Sequence, residues 1–253
     1  MSAFNSGLGI NLPPLEGDTL AASNNSDAPG WFGKFPALGD FASRRLDTPY
    51  TNAWEAWLKE ALFTTRAQLG NEWQAAYLGA PIWNFALFPG VVGSNAWAGS
   101  LMSSVDAVGR YFPLLVCAQV HYPRALLAEI RSGGHWYNRI QQVMVSVLSP
   151  QATLSGFEQA LEICPFPLHA NALESSGSEL SEALTQASYG HVGVAQIATS
   201  IGKALSLLEV ERSLTQFASH SLWWAPQQSG HTKSMLCQGM PRPEVYSQML
   251  VVT

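Results

Sequence analysis

The chain's hydrophobic patterning predicts an α/β fold in which one sheet is covered on both faces. Trp83, Phe85 and Leu87 alternate within 82–88, and Trp97, Gly99, Leu101 and Ser103 alternate again after the turn residues of 89–95. This pattern predicts two strands joined as a hairpin. Phe112 to Val120 reads Phe-Pro-Leu-Leu-Val-Cys-Ala-Gln-Val, a near-continuous apolar run. A strand apolar on both sides needs a layer on each side. Trp136, Ile140, Val143, Met144, Val147 and Leu148 recur at helical spacing, which supplies one such layer.

In chain order, residues 1–29 are rich in Ser, Asn, Gly, Pro and Ala and almost free of charge, a composition that predicts a flexible tail. A single domain is expected from 30 to 253. Gly30 to Phe41 packs three glycines, a proline and four aromatics without helical or strand periodicity. It reads as a packed loop with a turn at Pro36 to Gly39, across which Lys34 and Asp40 can meet. Asn52 followed by Glu55 resembles a capping box, and Trp54, Trp57, Leu58, Ala61 and Leu62 continue a helix to about Leu69.

Helices are expected at 124–131, closed by Gly133 and Gly134, and at 136–148, stopped by Pro150. Shorter helical patterns occupy 154–163, 179–186 and 194–208. Ser219 to Ala225 and Lys233 to Gln238 predict a second hairpin, and Pro241 and Pro243 start a last helix to about Leu250.

Composition narrows the function. The 253 residues carry a net charge of -5 with only 12% charged side chains, and no basic stripe exists to displace counterions from nucleic acid. Nine tryptophans and a charge-poor surface favour a patch covered by a partner. Cys117, Cys164 and Cys237 are isolated and form no CxxC pair, so neither a disulfide framework nor a zinc site is indicated and a reducing cytoplasm fits. The N-terminus lacks a basic and an apolar signal region, and no run suits a membrane span.

Gly33-Lys34 invites a phosphate-loop reading, but Gly30 lies only three residues before Gly33 and Phe35 follows where Ser or Thr is needed. The second dense motif, Ser103 to Leu114, places Ser104, Asp106 and Arg110 just before the apolar strand. In a helical turn Asp106 and Arg110 would pair at i and i+4; a contact to a partner or ligand is the alternative. A nucleophilic Ser104 would need a base and oxyanion donors, and no G-x-S-x-G elbow is present. The six histidines are scattered without metal-ligand spacing. Asp40 and Asp106 remain a possible carboxylate pair, and Trp223-Trp224 reads either as core plus rim or as a recognition platform.

In order, Gly30-Trp31-Phe32-Gly33-Lys34, Gly39-Asp40-Phe41, Trp54-Glu55-Ala56-Trp57-Leu58, Ser104-Val105-Asp106 and Val108 to Leu114 form a pattern that resembles the TagF (ImpM) family. A weaker echo lies in Ser221 to Trp224 and Gly239 to Pro241, while 150–208 carries no matching motif. Ser103 and Ala107 depart from it, standing where proline and a polar or basic residue are expected.

The resemblance implies a three-layer α/β/α sandwich with a mixed sheet, here with a helical C-terminal half. It implies a non-enzymatic, cytoplasmic accessory of bacterial type VI secretion systems that represses the apparatus after translation, without cofactor or metal. The implied partner is a forkhead-domain scaffold protein or another cytoplasmic component of the system. Some relatives carry a fused PP2C-type phosphatase, for which the chain ending at Thr253 is expected to leave no room. The partner-binding candidates are Lys34, Asp40, Asp106, Arg110, Trp223 and Trp224. Two other readings stand beside it: a hydrolase using a Ser104, Asp106 and Asp40 pocket, and a structural assembly subunit.

Overall fold

Seven strands form one sheet in the order β2-β1-β5-β4-β3-β6-β7. They are β1 (Gly30–Lys34), β2 (Phe41–Arg44), β3 (Trp83–Leu87), β4 (Ala96–Met102), β5 (Leu114–Val120), β6 (His220–Pro226) and β7 (Thr232–Gln238). The structure is a computed structural model and describes residues 27–167, 212–226 and 232–251.

Every ladder is antiparallel, which corrects the expected mixed sheet. The apolar run of β5 signals burial on both faces, but it does not encode the direction of its neighbours. Those neighbours, β1 and β4, both run against it.

Alternate residues of the strands enter two cores. On one face Phe32, Phe85, Leu87, Trp97, Leu115 and Trp223 pack under α1 (Thr48–Leu69), α2 (Trp73–Leu78) and α6 (Tyr246–Leu250). On the other, Trp31, Ala86, Phe88, Ala98, Val116 and Val120 pack under α3 (Pro123–Arg131), α4 (His135–Ser146) and α5 (Leu154–Glu162). Gly99 lies where the central strands crowd: a Cβ there would stand 2.3 Å from the Phe85 ring and 2.6 Å from the Val116 carbonyl oxygen.

The segment expected to be a loop from Gly30 is an interior strand. All five β1 residues are buried between β2 and β5, so no polar alternation marks them. Gly33 has φ +129°, and a Cβ on it would lie 2.0 Å from the Pro113 carbonyl oxygen. The turn at Pro36 to Gly39 is present and joins β1 to β2.

Helix α1 begins one turn before the expected capping box. Asp47 is its N-cap, accepting from the Tyr50 amide at 2.8 Å, and a proline occupies its first turn. Asn52 and Glu55 therefore lie inside the helix. In α4 the Glu129 carboxylate accepts from the Trp136 amide at 2.6 Å, placing an anion at the positive end of the helix. Helix α5 is tied across the sheet edge through Glu158, which accepts from the Trp31 indole and from Arg45 at 2.5 Å.

The described C-terminal residues include the β6–β7 hairpin as well as helix, so that part is not uniformly helical. Most of the expected tail, at 1–26, and the helical patterns at 179–186 and 194–208 lie outside the described residues.

Candidate functional site

Two connections meet at one end of the sheet: 35–40, between β1 and β2, and 103–113, between β4 and β5. The second is pinched by a bridge between Val105 and Tyr111. Within it the Asp106 amide donates to the Arg110 carbonyl at 3.1 Å, and the Gly109 amide donates to the Asp106 carbonyl at 3.0 Å. The turn is thus a tight hairpin rather than the helical turn that the i, i+4 spacing suggests. Gly109 supplies the positive φ, +82°, that it requires.

Asp106 holds the turn together from within. Its Oδ1 accepts from the Val108 amide at 3.1 Å and the Arg110 amide at 2.8 Å. Its Oδ2 accepts from Lys34 Nζ at 2.5 Å and Arg110 Nε at 2.7 Å. The carboxylate is fully buried. Burial pushes its pKa up, but the hydrogen bonds from Lys34 and Arg110 outweigh that and hold it far below the ordinary carboxylate range.

Lys34 is therefore paired with Asp106 rather than with Asp40 across the turn, which corrects the sequence expectation. Its side chain is 3% exposed, and its ammonium lies 4.9 Å from the centre of the Phe41 ring. A buried ammonium needs a full counter-charge, and Asp106 supplies one from 72 residues away. The two loops are also joined by the Ala107 amide donating to the Leu38 carbonyl at 3.0 Å, and by an Arg110 hydrogen bond to the Gly39 carbonyl.

Ser104 is part of the same lock. Its hydroxyl donates to the Lys34 carbonyl at 2.7 Å, its amide donates to the Tyr77 hydroxyl at 3.1 Å, and its carbonyl accepts from that hydroxyl at 3.0 Å. The residue is buried. A hydroxyl committed to a backbone carbonyl has no base to activate it, and Asp40 lies on the surface rather than beside Ser104. Among the described residues no group of three or more His, Cys, Asp or Glu is placed to hold a metal ion.

The outward surface of the lock consists of Asp40, Val108 and Arg110. Their exposure reaches 75% for the Asp40 side chain, 66% for Val108 and 53% for the Arg110 side chain. Arg110 and Asp40 approach to 3.8 Å, a loose surface pair. Val108 was missed by sequence reasoning; the available signal was an apolar residue inside a glycine-bearing polar turn, where burial is not expected. Trp223 lies in the core with no exposed surface, its indole donating to the Ser221 hydroxyl at 2.9 Å. Trp224 points to the opposite face and meets the Tyr137 ring edge-on at 4.7 Å. The six expected residues thus divide into a locked cluster of four and a distant tryptophan pair.

A cavity of about 580 Å³ opens elsewhere, lined among others by Gly30, Arg45, Trp97, Cys117, His121 and Phe166, and none of the six expected residues borders it. Burial pushes the Cys117 thiol up to about 12, which keeps it protonated and unreactive. No helix among the described residues is long and apolar enough to cross a membrane.

A family model described as the TagF N-terminal domain, type VI secretion system-associated, matches residues 30–164. That span contains both locked loops and excludes Trp223 and Trp224. The chain is also similar to the crystal structure of PA0076 from Pseudomonas aeruginosa PAO1, at 28% identity and a TM-score of 0.67. The alignment covers 88% of this chain and 94% of that one. No curated protein sequence matches the chain.

Proposed function

The chain belongs to the TagF family of type VI secretion system-associated proteins, and from that premise we propose that it represses the secretion apparatus after translation by binding one of its cytoplasmic components. The forkhead-domain scaffold protein is the first candidate partner. The observation that carries the reading is that the matched span contains the whole Lys34, Asp106 and Arg110 lock. Four hydrogen bonds to one buried carboxylate fix the shape of a surface turn, and a preformed turn loses little entropy on binding. Asp40, Val108 and Arg110 form the contact face, whereas Lys34 and Asp106 hold it from behind. Helices packed on both faces of the sheet support the three-layer α/β/α description of the family. The reading is of a cytoplasmic regulator that uses no catalysis, and Ser104 bonded to the Lys34 carbonyl supports it over a hydrolase.

The test is affinity capture of the full chain from cells that carry the secretion system, combined with effector release measured on deletion and on overexpression. Capture of a cytoplasmic component, with release raised by deletion and lowered by overexpression, is expected. Recovery of no component together with unchanged release overturns the proposal. Co-purification at fixed stoichiometry with the apparatus, without repression, would instead identify an assembly subunit.

A further inference from the structure

The two edges of the sheet are built differently. At one, β2 has only four residues, and Arg44 and Arg45 flank Glu158 at 3.5 and 2.5 Å. Arg45, at φ +58°, turns the chain away. A short, charged and kinked edge resists pairing with another strand.

The other edge, β7, carries none of these devices. Its seven residues pair with β6 in one unbroken register, without proline or bulge, and among the described residues no strand pairs with its outer side. Its single charge, Lys233, is turned back onto α6, where the ammonium donates to the Gln248 carbonyl at 2.8 Å. Leu236, in the middle of the strand's second half, is 55% exposed.

We infer that β7 pairs with β7 of a second copy of this chain, antiparallel and about a two-fold axis at Leu236, to join two sheets into one. The occupant is argued from the strand's own sequence. With the axis at Leu236, that leucine meets itself, Met235 meets Cys237 and Ser234 meets Gln238, within the bounds of β7. Apolar residues face apolar ones, polar face polar, and no like charges oppose each other. Leu222 already stands beside Leu236 within the sheet, so the joined edge carries a continuous row of four leucines. Such a contact is isologous and closes on itself. A chain with 12% charged residues and a net charge of -5 opposes it only weakly.

The experiment measures the mass of the full chain by light scattering during size exclusion, over a series of concentrations. Wild type is expected at twice the monomer mass, and Leu236→Lys at the monomer mass with an unchanged melting temperature. A second variant fixes the register: Leu236→Cys in a Cys237→Ser background is expected to give a disulfide-linked dimer with diamide as oxidant. A monomeric wild type, a dimer that survives Leu236→Lys, or a dimer that does not cross-link through position 236 each overturns the proposal.

Discussion

Lys34 Nζ lies 2.5 Å from Asp106 Oδ2, and both side chains are almost wholly removed from solvent. Removing Asp106 leaves the buried Lys34 ammonium without its counter-charge, which costs about 3 kcal/mol or more, whereas removing Lys34 leaves a carboxylate still held by Arg110 and two amides and costs less. Asp106→Ala is expected to lower the urea midpoint substantially, and Lys34→Met to lower it less. The double variant should lose less than the sum of the two, because without Asp106 the removal of Lys34 takes away an ammonium that is already orphaned. Additive losses in a double-mutant cycle would show that the pair is not coupled.

Acid should act through the same carboxylate. Burial raises the Asp106 pKa and the Lys34 and Arg110 hydrogen bonds lower it further than burial raises it, so the native value sits below that of the unfolded chain. Its stabilisation is complete above the unfolded value of about 3.9 and is lost as pH falls from there toward the native value. Stability measured between about pH 6 and about pH 2, roughly two units on each side of that value, should therefore fall with acid. In Asp106→Asn the acid limb should be shallower, and an unchanged slope would place the lost protons on other groups.

Three glycines separate steric from conformational need. A Cβ on Gly109 meets nothing within 4 Å, so Gly109→Ala carries only the strain of positive φ, about 1 kcal/mol. Gly99 has no such φ, but its Cβ would strike Phe85, the Val116 carbonyl and Cys117, so Gly99→Ala should cost about 3 kcal/mol. Gly33 combines both penalties, with the Pro113 carbonyl oxygen 2.0 Å away, and Gly33→Ala should be the most damaging. Midpoints of chemical unfolding rank the three, and an order led by Gly109→Ala would contradict the packing argument.

Much of this fold is legible in the sequence where turn residues bound an apolar pattern. The helices α4 and α5 and the strands β3 to β7 fall within about two residues of their expected bounds because turn residues, glycine and proline delimit them, although β3 and β4 are buried along their whole length. Strand β1 is hidden because two of its five residues are glycine and it runs directly into the turn at Pro36, so neither a period nor a boundary marks it. The start of α1 was misplaced because Asn52 and Glu55 imitate a capping box, while Asp47 and the proline after it are the working signal. Within the site, the expected pairing of Asp106 with Arg110 is present, but a hairpin turn brings the two together rather than the helical turn that their spacing suggests. The partner of Lys34 is not legible, since a separation of 72 residues leaves no local trace and Asp40 offered a nearer carboxylate.

Arg110 decides whether the locked turn is a contact surface. Its Nε holds Asp106, yet half of its side chain faces solvent beside Val108 and Asp40. Asp106 keeps Lys34 and two amides when the guanidinium is removed, so Arg110→Ala should cost about 1 kcal/mol, a shift of roughly 2–4 °C in a chain of this size. If Asp40, Val108 and Arg110 meet the partner, the same variant should lose at least tenfold in affinity, equivalent to about 1.4 kcal/mol. Lys34→Met should do the reverse: a fall in melting temperature, with affinity retained. Calorimetric titration with the captured partner, beside thermal melts of both variants, reads the two quantities separately. Equal affinity for wild type and Arg110→Ala would remove the turn from the interface and leave Arg110 as a brace for Asp106.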